Sequence, residues 1–572
     1  MSGTVVDGGA NQGGHSRRAG TAAVRGLTLG SAVWLALLAA PGLAQTTRTW
    51  DGGGVTSGTG VWQTIPTPQG ATNWVGDVLP TSTETAVFAS GTPGVTITDA
   101  VLPPFTTQFP TVSVGGIRFT SGAAAYTFNN NAFLFANGGG ITVDSGVTTD
   151  QTFAGAVFNS PGIRLGQSST GTLRNDGTGL LAIDVGYTSN ISEGGGGIGL
   201  VFDGSGNIRI GSIRDRFDSV TTSVTKNGSG TTTITAGAAA APVGSTTGWY
   251  QGTTTLNAGQ ININAATAIG GGSLVINGGT LGNTSGAAVT LSTNNAQTWA
   301  ADFAFAGSDN LNLGTGGVTL GSAARTVTVS LNVLTVGGVI SGSGGLTKAG
   351  AGTLTVNAAN LYSGTTSISG GTLALGSSGS FANSPAISVA AGATLDLTSK
   401  TAGFTFGSVQ TLGGLGSVAL PTSGTVSLQG FLAPGGVSAG TLAFTNAGTF
   451  DIESAITSGT GRLQFGLGPT GASDRVNVSG GTLAIGEGFL NFDDFAFTDL
   501  GGFGPGTYTL FSAAAISGTL GTTTSGTIGG FDSSLAVTGG DIQLVVVPEP
   551  QGLFFAGLGV AAAAWAGRRR RS

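Results

Sequence analysis

GGVISGSGGLTKAGAGTLTVNAANLYSGTTSISGGTLALG, Gly337 to Gly376, carries the pattern from which the fold is read. Within it Leu354 and Val356, then Ile368, then Leu373 and Leu375 fall at alternate positions of short Thr- and Ser-rich runs separated by Gly pairs. A period of two belongs to half-buried strands. Turns every 8–12 residues or so are compatible with a sandwich, a barrel or a solenoid.

Working outward, an earlier copy aligns with this one. VTKNGSGTTTITAG, Val224 to Gly237, matches LTKAGAGTLTVNAA, Leu346 to Ala359; WYQGTTTLNAGQINI, Trp249 to Ile263, matches LYSGTTSISGGTLAL, Leu361 to Leu375. Lys226 aligns with Lys348 and Tyr250 with Tyr362, and the first copy holds extra residues, AGAAAAPVG among them, that read as a loop. Internal repeats favour the solenoid, in which each coil buries its apolar face on its neighbours.

Composition agrees with strands. Of 572 residues 107 are Gly, too many for helices, where each costs about 1 kcal/mol relative to Ala. Yet 39% are hydrophobic, enough for a long, thin core rather than a disordered chain. There is no Cys, the one His is His15 and the one Met is Met1. Once a leader containing His15 is removed, no imidazole or thiol remains for a Ser-His-Asp or Cys-His nucleophile or for a His or Cys zinc site.

The stretch Gly337 to Gly376 resembles the autotransporter-associated β-strand repeat. NLNLGTGGVTLGSAARTVTV, Asn310 to Val329, and GFLAPGGVSAGTLAF, Gly430 to Phe444, resemble the same family. The resemblance implies an all-β, right-handed parallel β-helix of the kind found in surface-exposed passenger regions. Such passengers usually precede an outer-membrane barrel, and no barrel-like run of alternating strands follows here.

The ends read as addresses. Met1 to Ala44 has Arg17, Arg18 and Arg25, an apolar run from Leu27 to Ala40 and then Pro41-Gly-Leu-Ala44. That is the order of a secretory signal helix, with cleavage between Ala44 and Gln45. At the other end Pro548-Glu549-Pro550 is followed by an apolar segment, Leu553 to Ala566, and by Arg568, Arg569, Arg570 and Arg571. The arginines suit the cytoplasmic side of a C-terminal hydrophobic helix. This tail resembles the PEP-CTERM sorting signal of Gram-negative bacteria. The resemblance implies the Sec translocon, signal peptidase and an exosortase-like processing enzyme as partners, with exopolysaccharide or other surface glycans as further candidates.

Carboxylates are the remaining chemistry. Asp493-Asp494 in NFDDFAF, the cluster Arg214, Asp215, Arg216 and Asp218, and Asp474-Arg475 are the acid-bearing sites to weigh, since parallel β-helices also host polysaccharide-cleaving enzymes. Adjacent on a strand, Asp493 and Asp494 point to opposite faces and form no facing pair. DGSGN, Asp203 to Asn207, opens like a calcium loop but has Arg214 where the bidentate Glu belongs. EGGGGIG, Glu193 to Gly199, lacks the strand-to-helix setting of a phosphate loop. Solvated turns and local ion pairs account for these residues, so no catalytic residue, cofactor or metal is expected. Trp50, Trp62 and Trp74, twelve positions apart, suit either a cap on the first coil or an exposed sugar platform.

Without its two ends the chain keeps 13 basic and 24 acidic residues, a balance that argues against nucleic acid. The organisation expected is a signal peptide over residues 1–44, an N-terminal solenoid or cap region over 45–218, repeats over 219–420, a C-terminal solenoid region over 421–544 and the sorting tail over 545–572. The function expected is that of a non-catalytic, exported structural or adhesive protein. Its place would be the inner membrane in transit, then the cell surface or extracellular matrix. A polysaccharide-acting enzyme or a glycan-binding protein is the alternative.

Overall fold

A computed structural model describes residues 46–548, apart from internal stretches that are chiefly 51–58, 62–78, 90–95, 99–110, 155–162, 191–196, 216–220 and 237–247. Within it the chain is all β, with only short helical turns at Glu453–Ile456 and Phe492–Asp494. Successive coils stack so that each strand pairs in parallel with the strand one coil further on. The registered residues Thr353, Thr372, Thr394 and Ser417 are 19, 22 and 23 positions apart along the chain.

Three faces result. One is a 12-stranded sheet running from Thr47–Thr49 to Ile340–Ser341. The second is a ladder of 18 strands from Thr59–Val61 to Phe495–Asp499. It is open rather than closed into a barrel, because among the described residues each of those two end strands has a partner on one side only. The third face changes sheets along the body: five strands end at Ile213–Arg214, and a 16-stranded sheet begins at Val289–Thr290.

Alternation of apolar and hydroxyl residues places the core. In the third face Leu334, Leu354, Leu373, Leu395, Val418, Phe444 and Val478 stand in register on successive coils, and all are fully buried. Each side chain so buried contributes roughly 1.5–3 kcal/mol. Their strand neighbours Thr335, Thr355 and Ala374 point outward in a second register column. A parallel ladder thus needs only one apolar and one small polar residue per pair of positions.

Aromatic residues fill the first rungs. Trp50 is buried, with its ring 5.7 Å from that of Phe88, which stacks on Phe119 at 5.2 Å. This agrees with the capping alternative for Trp50; Trp62 and Trp74 lie outside the described residues.

The body departs from the expected parallel coil at its C-terminal end. Gly506–Leu520 pairs in parallel with Arg475–Leu490 on one side and antiparallel with Asp541–Val546 on the other. Asp541–Val546 pairs antiparallel with Phe531–Thr538, which pairs antiparallel with Ser525–Ile528. Two tight Gly-Gly connections, Gly529-Gly530 and Gly539-Gly540, permit these reversals, since two-residue turns join antiparallel strands and never parallel ones.

Candidate functional site

The acid residues singled out in the sequence hold backbone. Asp474 is buried, and its two oxygens accept from Gly440 N at 3.0 Å and Gly466 N at 2.7 Å; burial pushes its carboxyl up despite those bonds. Arg475, the next residue, is exposed. Asp494 is also buried and accepts from Asn491 N at 2.7 Å, with its carboxyl raised by burial to about 6. Here the strand expected at Asp493-Asp494 is replaced by a helical turn in which Asn491 and Asp494 cap each other. Asp215 joins two coils, accepting from Thr222 N at 3.0 Å and Gln251 N at 2.8 Å. Asp203 pairs with Arg174 at 2.7 Å, and Arg214 lies half-buried on its own strand. Arg216, Asp218 and Glu193 lie outside the described residues, as do Ala44, Gln45, Glu549, Pro550 and Arg568 to Arg571; Pro548 is the last residue described. Among the described residues no group of three or more His, Asp or Glu could hold a metal ion.

The repeat carries a chemistry of its own, which the sequence reading used only as an alignment mark. Lys226 and Lys348 fall at inward positions of the strands Thr222–Lys226 and Leu346–Ala349. Each is buried. The Lys348 ammonium donates to Ala349 O and Gly350 O at 2.9 Å each and to Gly370 O of the next coil at 3.0 Å. Lys226 likewise donates to Gly228 O. Burial pulls both lysines down from 10.5 to about 8. A glycine of the next coil closes each corner: Gly259 and Gly371 have φ of +66° and +58°, and a Cβ on either would meet two glycine carbonyls within 2.5 Å. The aligned tyrosines are equally alike, Tyr250 bonding Thr254 at 2.6 Å and Tyr362 bonding Thr366 at 2.7 Å through their hydroxyls.

A third lysine marks an opening in the described surface. The strand Phe404–Phe406 pairs on one side, with Thr425–Leu428. On its other side the preceding coil offers the turn around Ser378, which makes only the isolated bridge of Ser380 with Ala359. The mismatch leaves an open groove of ≈ 700 Å³, lined by Ser378, Ser380, Phe404, Thr405, Thr425 and Ser427. Lys400 is buried at its base, its ammonium donating to Ser377 O at 2.9 Å and to Gly379 O, 5.7 Å from the centre of the Phe404 ring. Phe381 and Phe406 fix that ring by edge contacts at 5.7 and 5.0 Å. Outward, Thr405, Ser427 and Asp451 stand in register on successive rungs, and Ser427 Oγ donates to Asp451 Oδ2 at 3.1 Å. None of these groove residues carries a sequence signal, because the opening depends on what the previous coil lacks.

Fold and corners together define a stacked-coil parallel β protein with repeated lysine corners. Residues 224–263 and 346–375 match the model of the passenger-associated-transport-repeat, and those limits coincide with the two aligned copies. No curated protein matches the chain. Among solved structures, the Haemophilus influenzae Hap adhesin is similar at 11% identity and a TM-score of 0.26, over 81% of this chain. The chain spans 58% of the length of that adhesin chain.

Proposed function

We propose that this chain is a non-catalytic exported protein of the cell surface or extracellular matrix, structural or adhesive in role. The observation that carries the reading is the passenger-type repeat at residues 224–263 and 346–375, built into a continuous stacked body. The enzyme alternative loses its best acids, because Asp474, Asp494 and Asp215 are each engaged by backbone N–H groups. The glycan-binding alternative is favoured by the hydroxyl-lined groove beside Lys400.

In this reading the Sec translocon exports the chain and signal peptidase cuts between Ala44 and Gln45. The segment Leu553 to Ala566 then pauses in the inner membrane with Arg568 to Arg571 inside. An exosortase-like enzyme acts near Pro548-Glu549-Pro550, where proline stops a helix from running on into the last strand. Among the described residues no helix is long and apolar enough to cross a membrane, and Leu553 to Ala566 lies outside them.

Fractionation of an exosortase-bearing host tests the route. Wild-type protein should reach the surface or matrix without Arg568 to Arg571, while alanine at Pro548, Glu549 and Pro550 should leave it membrane-bound. Retention of the arginines on surface protein would make the tail a plain anchor. Protein confined to the cytoplasm would end the proposal.

A further inference from the structure

We infer that the groove between the Ser378 turn and the strand Phe404–Phe406 is a binding site for a short run of a neutral glycan chain. The inference rests on the exported, surface-facing role proposed above and names the ligand class that such a surface would take.

Three features select the ligand. The first is the lining, which is hydroxyl-rich: Ser378, Ser380, Thr405, Thr425 and Ser427 surround one fixed, half-buried aromatic ring, that of Phe404. Hydroxyls that both donate and accept, beside an apolar ring, match the alternating polar edge and apolar face of a pyranose. The second is the direction of the polar column. Thr405, Ser427 and Asp451 rise one rung at a time, at about 4.8 Å per rung. That step is comparable to one sugar ring, so a chain laid along the stacking direction meets an equivalent group at each residue. Asp451 ends the column with a carboxylate that can accept from a sugar diol.

The third feature is charge. Asp451 and the exposed Glu453 stand at one end of the column, and the one cation lining the groove, the Lys400 ammonium, already has carbonyls of Ser377 and Gly379 as acceptors. A uronate or sulfate chain would meet two carboxylates and an ammonium with two of its three N–H groups already engaged, so the site favours an uncharged polymer.

An extended peptide is a poorer fit. Gln429 N donates to Phe406 O, so Phe406 and Phe404 turn their backbone groups toward the paired strand. Alternation then leaves only the N–H and C=O of Thr405 facing the groove. Strand addition along so short an edge would gain about two hydrogen bonds, too few to hold a peptide.

The test uses the full chain with a panel of neutral oligosaccharides of four to six rings (cello-, xylo-, malto- and laminari-series), with polygalacturonate and heparin as anionic probes. Binding is read by saturation-transfer NMR and by titration calorimetry. At least one neutral series should bind, and Thr405→Lys and Ser427→Leu, both on the outer surface of the strands, should each weaken it at least tenfold. Thr355→Lys, on a separate outward column, should leave it unchanged; circular dichroism checks that all variants keep the wild-type spectrum. Wild-type protein that binds no neutral series, or that prefers the anionic probes, overturns the inference. So does equal binding by the groove variants. Any of these results with surface export intact would leave the proposed function standing, whereas failure of export would remove that function and leave a glycan titration result readable on its own.

Discussion

Lys348 and Gly370 are 22 positions apart in the chain and one coil apart in space, joined by a 3.0 Å hydrogen bond from the lysine ammonium to the glycine carbonyl. The bond ties a strand end to the turn stacked upon it. Two more carbonyls, of Ala349 and Gly350, complete the ammonium's acceptors. A cation under a glycine turn here does what an N–H ladder does in the strands: it gives outlying carbonyls a donor.

Replacing that lysine with an apolar residue of similar length isolates the effect. Lys348→Met should destabilise the body by roughly 2–4 kcal/mol, because the carbonyls it served lose their donor while the burial cost of the charge is recovered. Urea denaturation with an unchanged m-value would show it; a neutral or stabilising result would mean that water reaches those carbonyls.

The tyrosine pairs predict a smaller and matched loss. Tyr362→Phe removes the 2.7 Å bond to Thr366, whose hydroxyl still donates to Ser384 Oγ at 2.9 Å. Tyr250→Phe leaves Thr254 donating to Ile269 O at 3.1 Å. Each substitution should cost about 1 kcal/mol, and a difference of more than about twofold between them would break the equivalence of the two copies.

Glycine substitutions should separate strain from collision. Gly371 and Gly392 both have positive φ, +58° and +76°, yet a Cβ at Gly371 would lie 2.4 Å from Gly350 O and one at Gly392 would meet nothing within 4 Å. Gly392→Ala should therefore cost about 1–2 kcal/mol from left-handed backbone alone, and Gly371→Ala clearly more. Melting temperatures in the reverse order would contradict the corner geometry.

Alkaline pH should first strengthen and then weaken the fold. Lys226 and Lys348 sit at about 8 when folded against 10.5 in the unfolded chain, so between those values the unfolded state binds more protons and stability rises with pH. Burial raises Tyr362 from 10.0 to about 12 and moves Tyr250 upward as well. The unfolded chain then gains from ionising these phenols above pH 10, and stability falls. Melting curves from pH 7 to 11 should peak near pH 10, with a rise of about 3 kcal/mol from pH 8; a monotonic decline would show that the lysines stay charged throughout.

Leu354, Val356, Ile368, Leu373 and Leu375 made the strands and their inward faces legible, because the period of two survives in these strands. The same period places Lys348 inward beside Leu346, so the buried lysine was available to a reading that trusted alternation over charge. The antiparallel finish was not legible, since Gly529-Gly530 and Gly539-Gly540 resemble the glycine punctuation of the coils. Asp494 was misplaced for want of its Asn491 partner, three residues earlier, which turns a strand into a capped helical turn. The groove beside Lys400 had no signal, because it arises where one coil offers a turn and the next a strand.

Lys226, Lys348 and Lys400 are all the lysines this chain has, and every one is buried with its ammonium turned onto backbone carbonyls. The folded body therefore shows the outside world no side-chain amine. Reagents that acylate or cross-link amines find little foothold on it, trypsin is left with arginine, and an enzyme that welds matrix proteins through isopeptide bonds would have to take the amine of the bond from the partner. Whatever fixes it in place must act through shape, hydroxyls, amides, carboxylates and guanidinium groups.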